Sequence, residues 1–302
     1  MASTIIILNP TAGRGYGARA ESKIRRFLEV EGVEFDLVHT ARPWHAAELA
    51  EQAVRDGYEL VVAAGGDGTT NEVVNGLMTA AEEGEAGTLG VIPVGSGSDF
   101  ASAVNVPPDL EGACRKLAHG RPRLIDVGRV STPGRPSRFF DNTAGIGFDG
   151  IVTRESSKVK WVRGLALYLP VVLKTLLLHD EWPDVTIQYD GQEMSLTAMM
   201  VVICNGGREG GGFLVAPEAA LDDGLFDLCI ARQLGRLSSL RLIPAFMNGT
   251  HVGKEPVTMG RARRVTVTSE DELVVHVDGE LFYGDGHRLE FEILPRRLWV
   301  RC

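Results

Sequence analysis

The chain has 302 residues, of which 44% are hydrophobic and 24% charged, with a formal net charge of −9. That size and balance suit two modest globular domains, and the acidic charge argues against a nucleic-acid binder, which would carry a basic face. Cys114, Cys204, Cys229 and Cys302 are too scattered for a zinc motif or a disulfide framework, so they read as reduced thiols of a cytoplasmic protein. Residues 1–10 lack the basic segment and long apolar run of a signal peptide. The most lipid-like stretch, residues 164–178, is broken by Pro170 and Lys174 and is too short to span a bilayer.

In chain order, residues 4–8 read as a first strand, followed by the turn Asn9-Pro10-Thr11-Ala12-Gly13-Arg14-Gly15. Within residues 17–31, Ile24, Phe27 and Leu28 fall at helical spacing. Residues 33–38 form a second strand ending at His39-Thr40, and residues 45–55 a helix. Residues 60–64 are a compact apolar run, the mark of a parallel strand buried on both faces. Gly65-Gly66-Asp67-Gly68-Thr69-Thr70-Asn71-Glu72 then turns into a helix, with Thr69 and Glu72 at capping-box spacing. Glycines let backbone N–H groups approach a ligand closely, and a helix start adds unpaired donors and a positive dipole end. The stretch is therefore a phosphate cradle holding one carboxylate, or, more plainly, a tight capped turn. Residues 88–93 make a fourth strand that runs into Val94-Gly95-Ser96-Gly97-Ser98-Asp99-Phe100-Ala101, another glycine turn opening a helix. Such alternation implies a parallel sheet covered on both faces. Ligands bind such sheets beyond the carboxyl ends of the strands, where the three glycine turns and Thr40 lie.

From Arg123 onward the pattern changes. Residues 124–130, 138–143, 185–189, 196–204, 225–232, 263–268 and 273–277 look like strands, with Asp190-Gly191 and Asp278-Gly279 as turn signals. Helical stretches at 151–178 and 237–248 interrupt them. The expected fold class is α/β plus β. A parallel α/β domain over residues 1–122, completed by 295–302, precedes an antiparallel β-sandwich over 123–294.

Several constellations in the second half bear on chemistry. Residues 216–228 put three carboxylates around a Gly turn at Gly224; such oxygen ligands suit Mg²⁺, though in isolation the stretch reads first as a solvated Asp-Gly hairpin. Val277-Asp278-Gly279-Glu280 is likewise either a turn or the carrier of a catalytic carboxylate. Residues 206–212, Gly-Gly-Arg-Glu-Gly-Gly-Gly, read as a substrate-facing lid or a long turn. Lys158, Lys160, Arg163 and Lys174 flank the apolar stretch 165–169, with Trp161 beside them. Such a helix can lie on an anionic membrane surface or simply cover a domain.

Taken together, these blocks resemble the diacylglycerol kinase catalytic-domain family, most closely its stand-alone bacterial lipid kinases. Asn9-Pro10-Thr11-Ala12-Gly13 is similar to that family's opening Asn-Pro-x-(Ser/Ala)-Gly, and Gly65-Gly66-Asp67-Gly68-Thr69 to the signature it shares with sphingosine and NAD kinases. Residues 95–101, 142–149, 216–228 and 278–280 are similar to its later blocks in the same order, with Ser96 and Ser98 in place of the usual Thr and Asn. The resemblance implies a two-domain cleft with ATP on the glycine turns, contacted by Asn9, Thr11, Gly13, Thr40, Gly65, Gly66, Asp67, Gly68, Thr69, Thr70, Asn71 and Ser96. It implies Mg²⁺ held by Asp223 with the carbonyls of Ala220 and Leu225. Glu280 would be the base toward a lipid hydroxyl, with Asp67 a rival for that role. The implied activity is transfer of the γ-phosphate of ATP to a lipid, foremost diacylglycerol. The implied setting is the cytoplasm, with transient contact at the inner membrane face and a homodimer as the family expectation. An NAD kinase-like phosphorylation of a soluble nucleotide and a non-catalytic nucleotide or lipid sensor are the alternatives.

Overall fold

Alternating strands and helices open a computed structural model that describes residues 3–81, 86–95, 97–158, 165–179 and 181–302. The chain divides into two units, Met1–Val127 with Pro295–Cys302, and Gly128–Leu294. The first unit runs β1 (Thr4–Leu8), α1 (Ala12–Val30), β2 (Phe35–His39), α2 (His45–Arg55), β3 (Leu60–Gly65), α3 (Asp67–Ala80), β4 (Ala86–Pro93), α4 (Asp99–Ala103) and α5 (Leu110–His119). Its strands pair in parallel in the order β2-β1-β3-β4, and Leu298–Val300 adds a further parallel strand beside β4. Every residue of β1 and β3 is buried, which is why both read as continuous apolar runs. Ile6, Leu8, Val62 and Ile92 of the sheet pack against Ile24 and Leu28 of α1 and Leu117 of α5. Strand order reverses between β1 and β3, the switch point at which open α/β sheets take their ligands.

One local reading is corrected, and one turn keeps the place expected of it. Regular helix in α1 begins only after Gly15, because Gly13, Arg14 and Gly15 take left-handed φ values of 53°, 57° and 78°. The Thr69–Glu72 capping box is not made. Helix α3 starts at Asp67 with Gly66 as its N-cap. Thr69 Oγ1 instead accepts a hydrogen bond from Asn9 Nδ2 at 3.0 Å, and Glu72 Oε2 accepts from the Ala46 N–H at 3.0 Å. Both side chains serve neighbouring segments rather than their own helix.

The second unit contains β6 (Arg138–Phe140), β7 (Thr143–Gly147), α6 (Phe148–Ser157), α7 (Leu165–Leu178), β8 (Asp184–Tyr189), β9 (Gln192–Cys204), β10 (Arg208–Glu209), β11 (Phe213–Leu214), β12 (Phe226–Arg232), α8 (Arg236–Asn248), β13 (Val257–Ala262) and β14 (Arg264–Val277). Strand β5 (Pro122–Ser131) leads into it and β15 (Glu280–Arg301) leads out. The single helical stretch expected over 151–178 is two helices, with residues 159–164 outside the described set. Pairing is antiparallel throughout: β9 joins β7, β8 and β12, and β14 joins β7, β8 and β15. Strands β7, β9, β8 and β14 thus close a ring of pairings around a core. There Phe140 stacks on Phe226 at 5.5 Å and meets Phe291 edge-on at 6.4 Å. A second apolar cluster lies against α6, α7 and α8, through Phe148, Val172, Leu176, Met200 and Phe246. Cys114, Cys204 and Cys229 are buried free thiols; burial pushes the Cys114 thiol up to about 12, so it is inert at neutral pH.

Candidate active site

The connections after β1, β3 and β4 leave the same edge of the parallel sheet and are tied to one another. The Asn9 N–H donates to Ala64 O at 3.0 Å, while Val94 and Gly95 N–H both donate to Gly65 O at 2.9 Å. Asn9 Oδ1 accepts from the N–H and hydroxyl of Thr11, at 3.0 and 2.8 Å. The Thr40 N–H donates to Leu8 O at 2.9 Å, which brings the end of β2 alongside. Space is tight enough to require glycine at Gly95, which meets backbone, while Gly97 lies close against the end of the Asp67 side chain. A Cβ on Gly95 would stand 2.2 Å from Gly66 Cα, and one on Gly97 would stand 2.7 Å from Asp67 Oδ2. Asp67 Oδ1 accepts from the Phe100 N–H at 3.2 Å, so the signature aspartate also fixes the turn after β4.

Thr11 is exposed, and Asn9, Thr40, Gly66, Asp67 and Gly68 are partly exposed. These residues and the first-turn donors of α3 form an open surface suited to phosphate. Gly13, Gly65, Thr69, Thr70 and Asn71 are buried. Asn71 is 0% exposed, and its carbonyl accepts from Asn75 Nδ2 at 2.8 Å, so it braces the helix behind the cradle. Ser96 lies outside the described residues.

In the second unit the turn before Glu280 is fixed from below. Asp278 and Gly279 both have left-handed φ, 47° and 76°, as a two-residue hairpin of the I′ type demands. Buried Asp278 accepts the N–H groups of Asp141, Asn142 and Thr143 at 3.0, 3.1 and 2.9 Å. Glu280 Oε2 accepts from Arg138 Nη2 at 2.8 Å; the Arg138 side chain is 6% exposed and that of Glu280 is 40%. The outcome is a solvent-reaching carboxylate on a rigid, charge-backed turn.

The loop at residues 220–225 carries Asp223, whose Oδ1 accepts from the Leu225 N–H at 3.0 Å and whose Oδ2 pairs with Arg261. Arg261 Nε also stands 3.5 Å from Asp227 Oδ1. A guanidinium therefore already sits where the resemblance puts Mg²⁺. The donor set suits a hard cation, provided Arg261 turns away. Half-exposed pairs of this kind are worth about 0–1 kcal/mol and exchange readily.

A third constellation was not singled out in the sequence. Asp149 of α6, Glu209 of β10 and His276 of β14 place their ligand atoms within 4.8 Å of one another. His276 Nε2 stands 2.7 Å from Glu209 Oε1. Burial, with the charge of Glu209, raises the Asp149 carboxyl well above the usual range. For His276, burial acts downward, but the charge and hydrogen bonding of Glu209, with Asp149 and Asp278, carry its pKa above the ordinary value of 6.5. Both groups hold protons more firmly folded than unfolded, so both shifts add stability at low pH. That stability is lost as pH rises, from about 4 upward for Asp149 and from 6.5 upward for His276. Each proton contributes a slope of at most about 1.4 kcal/mol per pH unit. Thermal melts between pH 6 and 8.5 should show Tm falling, and Asp149→Asn should flatten the slope. A parental Tm that rises across this window would contradict the assignment.

An apolar cavity adjoins this cluster. It is lined by Val152, Val172, Leu176, Met200, Leu242 and Phe246 with Asp149 and Glu209 at its polar side, and holds about 680 Å³ of empty space counting its open mouth.

Comparison with known proteins also divides the chain in two, with the C-terminal profile running on through residue 302. The family profile described as the diacylglycerol kinase catalytic domain matches residues 3–130. The one described as the YegS C-terminal NAD kinase beta sandwich-like domain matches residues 142–302. A diacylglycerol kinase of Bacillus subtilis (strain 168) is 34% identical over 298 residues, covering 98% of this chain and 94% of that protein. The chain belongs to the diacylglycerol kinase family. Another relative of the family, a diacylglycerol kinase of Staphylococcus haemolyticus, is 31% identical over 296 residues, 98% of this chain and 86% of that one. The crystal structure of a diacylglycerol kinase from Bacillus anthracis str. Sterne shares the fold, with a TM-score of 0.73 at 23% identity over 99% of this chain and 96% of that one. Family membership makes the chain a kinase, with ATP as its phosphoryl donor.

Within this diacylglycerol kinase framework, the signals for the missed residues were faint. His276 stands between Val275 and Val277 in an apolar strand, and Glu209 sits in a run of glycines. Arg138, the partner of Glu280, opens a short strand with no motif around it.

Proposed function

We propose that the protein is an ATP-dependent lipid kinase that phosphorylates a lipid hydroxyl, foremost that of diacylglycerol. The observation that carries this reading is the apolar cavity of the second unit, whose walls fit acyl chains and offer a soluble dinucleotide little to bond. The first unit is assigned the nucleotide, held by Thr11, Thr40 and the turn through Gly66, Asp67 and Gly68. Phosphoryl transfer rests mainly on positioning and charge neutralisation. Glu280 accepts the proton of the acceptor hydroxyl. The hydroxyl oxygen then bonds to the γ-phosphorus, the bond from that phosphorus to the bridging oxygen breaks, and ADP leaves. Mg²⁺ taken by Asp223 with the carbonyls of Ala220 and Leu225, in place of Arg261, would supply positive charge to the phosphates. Asp67 is assigned to holding the cradle, since it already anchors the Phe100 N–H.

Among the described residues no helix is long and apolar enough to cross a membrane. Contact with a bilayer is therefore proposed at its surface. Leu173, Leu177 and Leu178 of α7 and Leu237 of α8 are exposed at 37%, 50%, 65% and 74%, on the two helices whose inner faces line the cavity. Exposed Lys158 and Lys174 both pair with Glu155; Lys160 and Arg163 lie outside the described residues. Joint replacement of Leu177 and Leu178 by Gln should weaken binding to phosphatidylglycerol-containing vesicles at least fivefold in a sedimentation assay. Unchanged sedimentation would remove these leucines from the contact.

The experiment for the activity is transfer of labelled γ-phosphate from ATP, with Mg²⁺, to dioleoylglycerol in mixed micelles and to NAD in parallel. Labelled lipid supports the reading. Labelled NADP, or no product with ATP bound, counts against it.

A further inference from the structure

The turn after β2 carries a residue that the phosphate cradle does not use. Trp44 precedes α2 with φ 64° and ψ 3°, a left-handed conformation that a bulky L-residue takes only at a steric cost. Trp44 is also 39% exposed, so a large aromatic ring is left partly in water. A single exposed ring means little. Backbone strain beside it means more, because such strain survives only where the surroundings impose it, and it gathers at ligand clamps.

The surroundings do impose it. The Ala41 N–H donates to His45 Nδ1 at 3.0 Å and the His45 N–H to Arg42 O at 3.2 Å, while Arg42 pairs with Glu48 at 2.6 Å. The Ala46 N–H donates to Glu72 Oε2 at 3.0 Å. Glu72 follows Asp67 along α3 by only about 7.5 Å, at 1.5 Å per residue. A Cβ on Gly76 would stand 2.2 Å from Ala47 O, so the start of α2 lies hard against α3. The Thr40 N–H ties the end of β2 to Leu8 O, just before the turn that carries Thr11. The Trp44 turn is therefore held beside both the β1 and the β3 glycine turns.

Among the described residues β2 is the outermost strand of this sheet, next to β1. Where doubly wound sheets hold phosphates on the turn after the first strand, a side chain further along the chain takes the ribose. Here the next turn at that edge is residues 40–44. The charged phosphates belong on the glycine turns, and the part left over is a flat heteroaromatic base. An exposed tryptophan is the side chain on which such a base stacks.

We propose that Trp44 is a stacking platform for the base of the nucleoside triphosphate, on the β2 side of the phosphate cradle. The inference rests on the reading of the glycine turns as the phosphate site. Every base has a π-face, so the platform supplies affinity rather than a choice among purines. A ring already fixed by its turn also loses little freedom when a base lands on it.

The test is calorimetric binding of ATP with Mg²⁺ and, separately, of inorganic tripolyphosphate, which has the phosphates and no base. Trp44→Gly removes the ring and suits the left-handed φ. Its ATP affinity should fall about 5- to 100-fold, the usual effect of losing one base–aromatic stack. Its tripolyphosphate affinity should not change, and its melting temperature without ligand should be no lower than the parent's. Trp44→Phe keeps a π-face and should bind ATP within about threefold of the parent. The tryptophan emission that Trp44→Phe removes should be quenched in the parent by ATP and not by tripolyphosphate. Parental ATP affinity in Trp44→Gly overturns the proposal. So does an equal loss of ATP and tripolyphosphate binding with a lower melting temperature, which would make Trp44 a brace of the turn. A parent that binds ATP but not tripolyphosphate, with ATP binding lost in Trp44→Gly, would sustain the stack and remove the phosphates from the glycine turns.

Discussion

Glu280→Gln is expected to lower kcat by about 10²–10⁴, the usual worth of a positioned general base, with the KM for ATP changed less than about threefold. The substitution is close to isosteric, and the amide oxygen can still accept from Arg138. The turn itself is held by Asp278, through the N–H groups of Asp141, Asn142 and Thr143, and not by Glu280. The loss should therefore fall on chemistry and leave the fold intact. Asp67→Asn gives the contrast. Asp67 bonds the Phe100 N–H and lies against Gly97, so its replacement should raise the KM for ATP as well as lower kcat. Steady-state kinetics of the two variants decide the roles. A Glu280→Gln enzyme with near-parental kcat, beside an inactive Asp67→Asn enzyme with parental ATP affinity, would make Asp67 the base.

Gly95→Ala should cost at least tenfold in ATP affinity and about 1–3 kcal/mol in stability, the range for overpacking a tight site. The added methyl would stand 2.2 Å from Gly66 Cα and 2.7 Å from Gly66 N. These are backbone atoms of the turn assigned to the phosphates, and no rotamer change relieves the contact. Relief requires the β3–α3 turn to move away from β4, which also strains the bond from the Gly95 N–H to Gly65 O. Gly235→Ala makes a fair control, since a Cβ there meets nothing within 4 Å and φ is −66°. Calorimetric titration with ATP and a thermal melt read both effects. Parental affinity in Gly95→Ala would mean that the nucleotide does not rest on this turn.

Much of the first unit was legible because its chemistry is local. Strands β1 and β3 are buried on both faces, so burial writes itself as unbroken apolar runs. The glycines that follow them are demanded by contacts close in sequence or across one strand. The capping-box reading failed for a definable reason: Thr69 and Glu72 have the right spacing, but their oxygens bond Asn9 and Ala46, from segments no local pattern connects. The same holds more strongly in the second unit. Glu280 was legible as part of a short motif, whereas Arg138, which orients it, comes from a strand far back in the chain. Asp149, Glu209 and His276 come from three separate elements, and only the closed ring of β7, β9, β8 and β14, with α6 packed beside it, brings them together. Asp223 stood out in the sequence as a candidate Mg²⁺ ligand, but its pairing with Arg261 depends on the β12–β13 register, with Asp227 opposite Arg261, which sequence spacing does not reveal.

The most direct measurement of the central claim is phosphoryl transfer from γ-labelled ATP to dioleoylglycerol in mixed micelles, with Mg²⁺ present, by the parent protein and by Glu280→Gln. A labelled phosphatidic acid product from the parent, reduced at least a hundredfold in the variant, is the predicted result. Label appearing in NADP and not in lipid, or in lipid equally from both proteins, would contradict it.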